Sequence, residues 1–314
     1  MEKLTLYRWT RNKILSFEWS PFETLEKLIA SPPLKDHLMQ RLHAFLIEKE
    51  HLHRLRLPWR YGMFFFGPTG TGKTAASRAI AQHLSWTHYT IPDHEILDAH
   101  LFENALHDAI SEKERVIILE NVDQILSRME PEVFFTLLDH AIERAEGTLW
   151  IATTRHAESV PKTQLIRPGR FDESIRFENP SKELRIQMLI QVFDWEKVPQ
   201  EEHSLSQWVE LTQGLSFSHF EEMRQIVARA HAKKLEPEAI LLEMKSYVED
   251  QMIAGDRLGG LSDQTELLMD RVQQVDPRVL TAALNMTDVF KALIEKTIGD
   301  AAERAKLMQE EESQ

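Results

Sequence analysis

Short apolar runs alternate with stretches of helical spacing through the middle of the chain. Met63-Phe64-Phe65-Phe66 predicts a buried strand, and Ala75 to Ala81 predicts the start of a helix. His88-Tyr89-Thr90-Ile91 predicts a second strand, followed by an amphipathic helix over Ile96 to Glu112. Arg115 to Asp123 predicts a strand ending in the acidic and amide side chains Glu120, Asn121 and Asp123. Phe134 to Glu146 predicts a helix stopped by Gly147, and Thr148 to Thr154 another strand. Strands and helices in this order give an α/β fold, a mostly parallel sheet sandwiched by helices.

The pattern changes on either side. Upstream, Leu34, Leu38, Leu42 and Leu46 lie on one helical face, in a segment broken at Pro32-Pro33. From Pro180 onward only helical spacing remains: Glu183 to Phe193, Ser204 to Thr212 and Ser218 to Ala232 form a small helical lid, and residues 235–314 a C-terminal helical extension with turns near Gly255, Gly259-Gly260 and Pro277. The expected divisions are therefore residues 1–56, an N-terminal arm and helices; 57–180, the α/β nucleotide-binding domain; 181–234, the lid; and 235–314, the extension. The tail Gln309 to Gln314 is expected to fray.

The phosphate chemistry lies between the first strand and the first helix. Gly67-Pro68-Thr69-Gly70-Thr71-Gly72-Lys73-Thr74 fills the pattern G-x-x-x-x-G-K-[ST] in the strand–loop–helix context it requires. Glycines let backbone N–H groups curl around phosphate oxygens, and the helix N-terminus adds partial positive charge. Lys73 reaches the β- and γ-phosphates, and the Thr74 hydroxyl is a Mg²⁺ ligand. In parallel sheets ligands sit beyond the carboxyl ends of the strands. The loop, Glu120-Asn121 and Thr154-Arg155 all fall there, so one site is expected.

Composition narrows the partners. The formal net charge of −13 argues against broad binding of a nucleic-acid backbone. Tyr7, Trp9, Phe17 and Trp19 lie among Arg8, Arg11 and Lys13, a mixture read as a packing arm rather than a base-stacking surface. There are 0 cysteines, so neither a disulfide framework nor a thiolate metal site exists. No apolar run approaches the roughly 20 residues that span a bilayer, and the first residues lack an apolar signal region. A cytoplasmic protein is the simplest expectation. His51 and His53 are too few to make a metal site alone and are expected at the surface, and His94 with Glu95 and His100 lacks the spacing of a zinc motif.

The phosphate loop, the Val116–Asp123 strand and Leu165-Ile166-Arg167-Pro168-Gly169-Arg170-Phe171-Asp172 together resemble the AAA clade of AAA+ ATPases, from about Trp59 to Ala232. Leu119 to Asp123 with Leu126-Ser127-Arg128, and the approach Leu57 to Gly62, are similar to the branch of the mitochondrial AAA protein that translocates the Rieske subunit, and to its bacterial relatives. The resemblance implies that Gly67, Gly70, Gly72, Lys73 and Thr74 hold ATP and Mg²⁺, and that Glu120 orients the metal. It implies that Arg167 and Arg170 are arginine fingers acting on a neighbouring subunit's γ-phosphate, in a ring that is usually a hexamer. Thr212 to Ser218, including Gly214 and Ser218, resembles the lid segment over the nucleotide.

Three departures qualify what the resemblance implies. Asn121 stands where a carboxylate normally activates water; an amide positions water but accepts no proton. Arg155 stands where an asparagine normally senses the γ-phosphate, a cation that favours triphosphate and transition-state charge. Two outcomes stay open: slow hydrolysis with Glu120 as base or Asp123 assisting, or ATP as a structural or switching ligand. Asp123 is expected more as a helix N-cap than as a base. After the second strand no aromatic-Gly pair appears, which leaves threading of an unfolded chain unsupported, and Phe102 is expected to pack with Leu101, Leu106 and Ile110. The resulting expectation is an ATPase that remodels or gates a protein partner, or else a hydrolysis-poor ATP-bound scaffold.

Overall fold

The computed structural model describes residues 4–11, 13–19, 25, 28, 30–111, 114–192 and 205–258. Seven strands form one sheet in the order β2-β1-β4-β5-β6-β3-β7. They are β1 (Leu4–Trp9), β2 (Ile14–Trp19), β3 (Arg60–Phe66), β4 (Thr87–Ile91), β5 (Arg115–Leu119), β6 (Thr148–Thr154) and β7 (Glu173–Arg176). Only β1 and β2 pair antiparallel; every other neighbouring pair is parallel. The α/β class and the parallel sheet between helices agree with the hydrophobic pattern.

The two faces follow from alternation along each strand. Phe64, Tyr89, Ile91, Ile117, Leu119, Trp150 and Ala152 face one core with α3 (Ala99–Ala109), α4 (Val122–Leu126) and α5 (Pro131–Arg144). Met63, Phe65, Val116, Ile118, Leu149 and Ile151 face the other, with α1 (Pro32–Arg54) and α2 (Lys73–Leu84). Phe102 joins the first core and stacks on Phe134 at 5.0 Å, so its expected packing role holds. Trp59 secures the entry to β3: it stacks on Phe45 at 4.8 Å and donates its indole N–H to the Phe45 carbonyl at 2.8 Å.

The lid has its own core. The helices α7 (Lys182–Val192), α8 (Leu205–Leu211) and α9 (Phe217–Ala232) pack around Leu189, Trp208 and Met223, joined by Met244 of α10 (Pro237–Leu258). A short α6 (Lys162–Leu165) lies between β6 and β7. The chain divides into two compact units, Met1–Val248 and Glu249–Gln314. In the second, residues 249–258 continue α10. Among the described residues, no helix is long and apolar enough to cross a membrane.

Several expectations change. The aromatic N-terminal segment is a β-hairpin, not an arm, and β1 extends the sheet by pairing with β4. Trp9 is buried and its indole N–H donates to Asp108 Oδ2 at 3.0 Å. The break expected at Pro32-Pro33 is the start of α1, where proline lacks only the N–H that a first turn leaves unpaired anyway. Gly255 lies inside α10, so the turn expected there is helix. Phe193, Ser204, Gly259-Gly260, Pro277 and the tail lie outside the described residues.

Candidate nucleotide-binding site

Adjacent strands β5, β6 and β3 deliver three polar loops to one edge. Register pairs Phe66 with Thr154 and Leu119 with Ala152, so the residues that follow emerge side by side. The loop after β3 wraps the start of α2, whose first residue is Lys73. A cavity of about 470 Å³ lies there, within the usual range of small-molecule sites. Thr69, Gly70, Gly72, Lys73, Thr74, Glu120, Asn121, Arg155 and Ser218 line it, and so do Leu28, Thr153, Met188, Phe217 and Glu221.

The loop's glycines serve different purposes. Gly67, Gly70 and Gly72 have φ of 134°, 78° and 96°, which side-chain-bearing residues rarely adopt. A Cβ on Gly70 would come within 2.2 Å of Ser218 Oγ and 2.4 Å of Ser216 Oγ, so the loop tip fits only as glycine against the lid. The Ser218 N–H donates to the Gly70 carbonyl at 3.2 Å. A Cβ on Gly72 would meet nothing within 4 Å, so that position needs glycine for its backbone angle rather than for space.

Lys73 Nζ sits inside the loop, donating to the Gly67 carbonyl at 2.5 Å and the Pro68 carbonyl at 2.7 Å. The Thr71 hydroxyl also donates to the Pro68 carbonyl, at 2.8 Å. Burial, with Arg155 nearby as a second cation, pulls the Lys73 ammonium down to about 8, and Asp123 works against that fall. A buried ammonium with only carbonyl partners, at a helix N-terminus with unpaired N–H groups, suits a polyanion. Thr74 and Glu120 line the same cavity and offer the hard oxygen donors that Mg²⁺ prefers. The residues present therefore fit a magnesium triphosphate.

Burial pushes the Glu120 carboxyl up, Arg8 and Arg78 draw it back, and Asp93 pushes it further up. Asn121 has φ 48°. Its N–H donates to Thr153 Oγ1 at 3.1 Å and its Nδ2 to Asp93 Oδ1 at 2.8 Å. Asp123 is not the N-cap of α4; that position is Asn121, and Asp123 is buried, accepting from Thr154 Oγ1 at 2.7 Å.

The remaining sequence candidates lie elsewhere. Gly214 is outside the cavity lining; it has φ 85° in the turn before α9, and its carbonyl accepts from Asn179 Nδ2 at 3.1 Å. The Arg167–Arg170 turn packs against the entry half of β3: a Cβ on Gly62 would meet the Arg170 carbonyl at 2.2 Å, and the Gly62 N–H donates to Asp172 Oδ2 at 2.8 Å. Arg170 is buried, its Nε and Nη2 forked onto Asp139 at 2.6 and 2.7 Å, with its guanidinium 4.2 Å from the Phe135 ring centroid. The Arg167 side chain is 51% exposed and touches Asp139 at 3.3 Å. Sequence reasoning missed the apolar lining from Leu28 and Met188, and Asp93. Spacing gives no signal for residues so far from the loop.

These features define a phosphate-loop nucleotide-binding fold with a helical lid. Residues 63–179 match the model of the ATPase family associated with various cellular activities (AAA). Its distant relatives include the cell division control protein 48 homolog B of Arabidopsis thaliana, 29% identical over 156 residues, covering 43% of this chain and 26% of the relative. The cell division cycle protein 48 homolog of Archaeoglobus fulgidus is 24% identical over 305 residues, covering 88% of this chain and 40% of the relative. The proteasome-activating nucleotidase of Methanocella arvoryzae is 26% identical over 171 residues, covering 49% and 41%. The chain spans less than half the length of each of these relatives.

Proposed function

We propose that the chain is a ring-forming, magnesium-dependent ATPase that couples ATP binding and slow hydrolysis to the remodelling or gating of a protein partner. The observation that carries this reading is the placement of opposite functions on opposite ends of β3. The phosphate loop leaves the exit end at Gly67, and the arginine turn packs near Gly62 and Arg60 at the entry end. At about 3.3 Å per residue the strand holds them roughly 13–20 Å apart. Arg167 cannot reach its own cavity, and a second copy set head to tail brings it to the neighbour's γ-phosphate. A hexamer is the expected closed form, and a head-to-tail contact that closes gives a ring.

Residues 57–180 then bind the nucleotide with Leu28 and the sheet and helix packing of 1–56 behind them, 181–234 sense it as the lid, and 235–314, beyond the part of α10 that joins the lid core, are left for neighbours and partner. The Glu120-Asn121 order supports the kinship with the Rieske-translocating branch. A second reading, an ATP-bound scaffold with negligible turnover, draws support from Asn121, whose amide is engaged by Asp93, and from Arg155 in the cavity. Mass measurement with and without ATP and magnesium, beside steady-state phosphate release, decides. A ring with turnover supports the first reading, a ring without turnover the second, and a lone particle under saturating ATP removes both.

A further inference from the structure

Asn121 stands where a carboxylate is expected, and a carboxylate is present one side chain away. Asp93 follows β4 and opens the 3-10 turn Asp93–Glu95. Its Oδ1 accepts from Asn121 Nδ2 at 2.8 Å, across 28 residues of sequence. A carboxylate only accepts, so the branch of the amide that faces it is the NH₂ group. The carbonyl oxygen is therefore the other branch of the same plane. The backbone is held as well, through the Asn121 N–H on Thr153 Oγ1.

Asp93 is itself anchored. Arg128 Nη1 donates to the Asp93 carbonyl and, at 2.7 Å, to the Ile96 carbonyl, and its Nη2 lies 3.8 Å from Asp93 Oδ2. Asn121 lines the cavity together with Lys73, Thr74, Glu120 and Arg155. An amide held by one branch, on a residue that lines the cavity with Lys73 and Thr74, is suited to accept a hydrogen bond there through its oxygen, which has no partner among the described residues.

We propose that Asp93 is the positioning residue of the hydrolytic site: it grips the Asn121 amide by its NH₂ group and presents the amide oxygen to the water that attacks the terminal phosphate. This rests on the ATPase reading above. The water oxygen bonds to the γ-phosphorus as the bond to the β–γ bridging oxygen breaks. The water's proton passes to a phosphate oxygen, leaving ADP and inorganic phosphate. Neither Asn121 nor Asp93 takes the proton; the pair aligns the nucleophile.

The pair has a distinctive signature. Asn121→Asp, the change that would repair the departure from the family pattern, sets two carboxylates at hydrogen-bond distance, and like charges so placed repel. It therefore lowers turnover. Asp93→Asn lets the amide flip, because an asparagine partner offers both donor and acceptor. The reciprocal exchange, Asp93→Asn with Asn121→Asp, restores one carboxylate and one amide.

The test measures phosphate release and the affinities for fluorescent ATP and ADP analogues in the full chain, for these variants and for Asn121→Ala, which leaves Asp93 and its Arg128 contacts in place. Each single change is expected to lower kcat about tenfold with KM within about twofold, and the exchange to exceed the product of the singles by about tenfold. An exchange no better than that product overturns the proposal, as does Asn121→Ala with unchanged kcat. Should the parent protein release no phosphate, the hydrolysis reading falls by itself. The ATP-to-ADP affinity ratio then decides the pair: it drops about tenfold in Asn121→Asp and recovers in the exchange, or the pair is refuted.

Discussion

The two ends of β3 hold their cations in opposite ways. At the exit end Lys73 hangs from two backbone carbonyls, and burial pulls it to about 8. At the entry end Arg170 forks onto Asp139 and stacks on Phe135. The Arg170 hydrogen bonds hold the Asp139 carboxyl below the usual carboxylate range despite its partial burial. A cation held on carbonyls gains from an incoming polyanion; one already matched with a carboxylate gains little. The difference separates two arginines that the sequence motif treats alike. Arg170 holds the turn together, whereas Arg167 is half exposed on one 3.3 Å contact and, in the ring proposed above, is the arginine that turns toward a neighbour.

The largest expected effect on binding is at the exit end. Lys73→Ala should weaken ATP binding by more than about a hundredfold, or about 2.7 kcal/mol, in an equilibrium titration with a fluorescent analogue. The fold should survive, because the change removes a buried charge rather than stranding one. Unchanged affinity would place the nucleotide elsewhere.

At the entry end the two arginines should part. Arg170→Ala leaves Asp139 only its 3.3 Å contact with Arg167 and should cost about 2 kcal/mol, below the full penalty for a broken buried pair because Asp139 also keeps some contact with water. Arg167→Ala should cost less than about 0.5 kcal/mol, yet lower turnover on the order of 10³, the low end for arginine fingers. Melting curves and phosphate release on both variants check this. A melting temperature unchanged by Arg170→Ala, with turnover unchanged by Arg167→Ala, would invert the contrast.

The exit end was far more legible than the entry end, for physical reasons. A phosphate loop is contiguous, and its glycines, lysine and threonine act through local backbone geometry. Strands β3, β5 and β6 were readable because burial on both faces gives them apolar runs, and β4 through the β-favouring Tyr89, Thr90 and Ile91. β7 is exposed at the sheet edge with only Ile175 buried, and β1–β2 mixes charge with aromatics, so neither carries that signal. Arg170 and Asp139 meet across 31 residues, and Asn121 and Asp93 across 28, pairings that exist only once the sheet has formed. The glycine at 255 misled because the helix α10 runs through it.

The smallest effect is in protons, and it sharpens the contrast most. Lys73 is lowered from 10.5 to about 8, so between those values the unfolded chain binds the proton that the folded one lacks. Nucleotide-free stability should therefore rise with pH across that window as far as Lys73 is concerned. ATP reverses the sign, because a triphosphate beside Lys73 favours the ammonium and draws its pKa back up. Binding should take up as much as about one proton above pH 8, and affinity should fall by up to about tenfold per pH unit there. Calorimetry in buffers of differing ionisation enthalpy reads the uptake directly. Lys73→Arg, which stays charged, should abolish the Lys73 part of this uptake, whereas Arg167→Ala should leave it intact. Uptake that persists in Lys73→Arg would trace to another group and show that the exit-end cation is not the poised one.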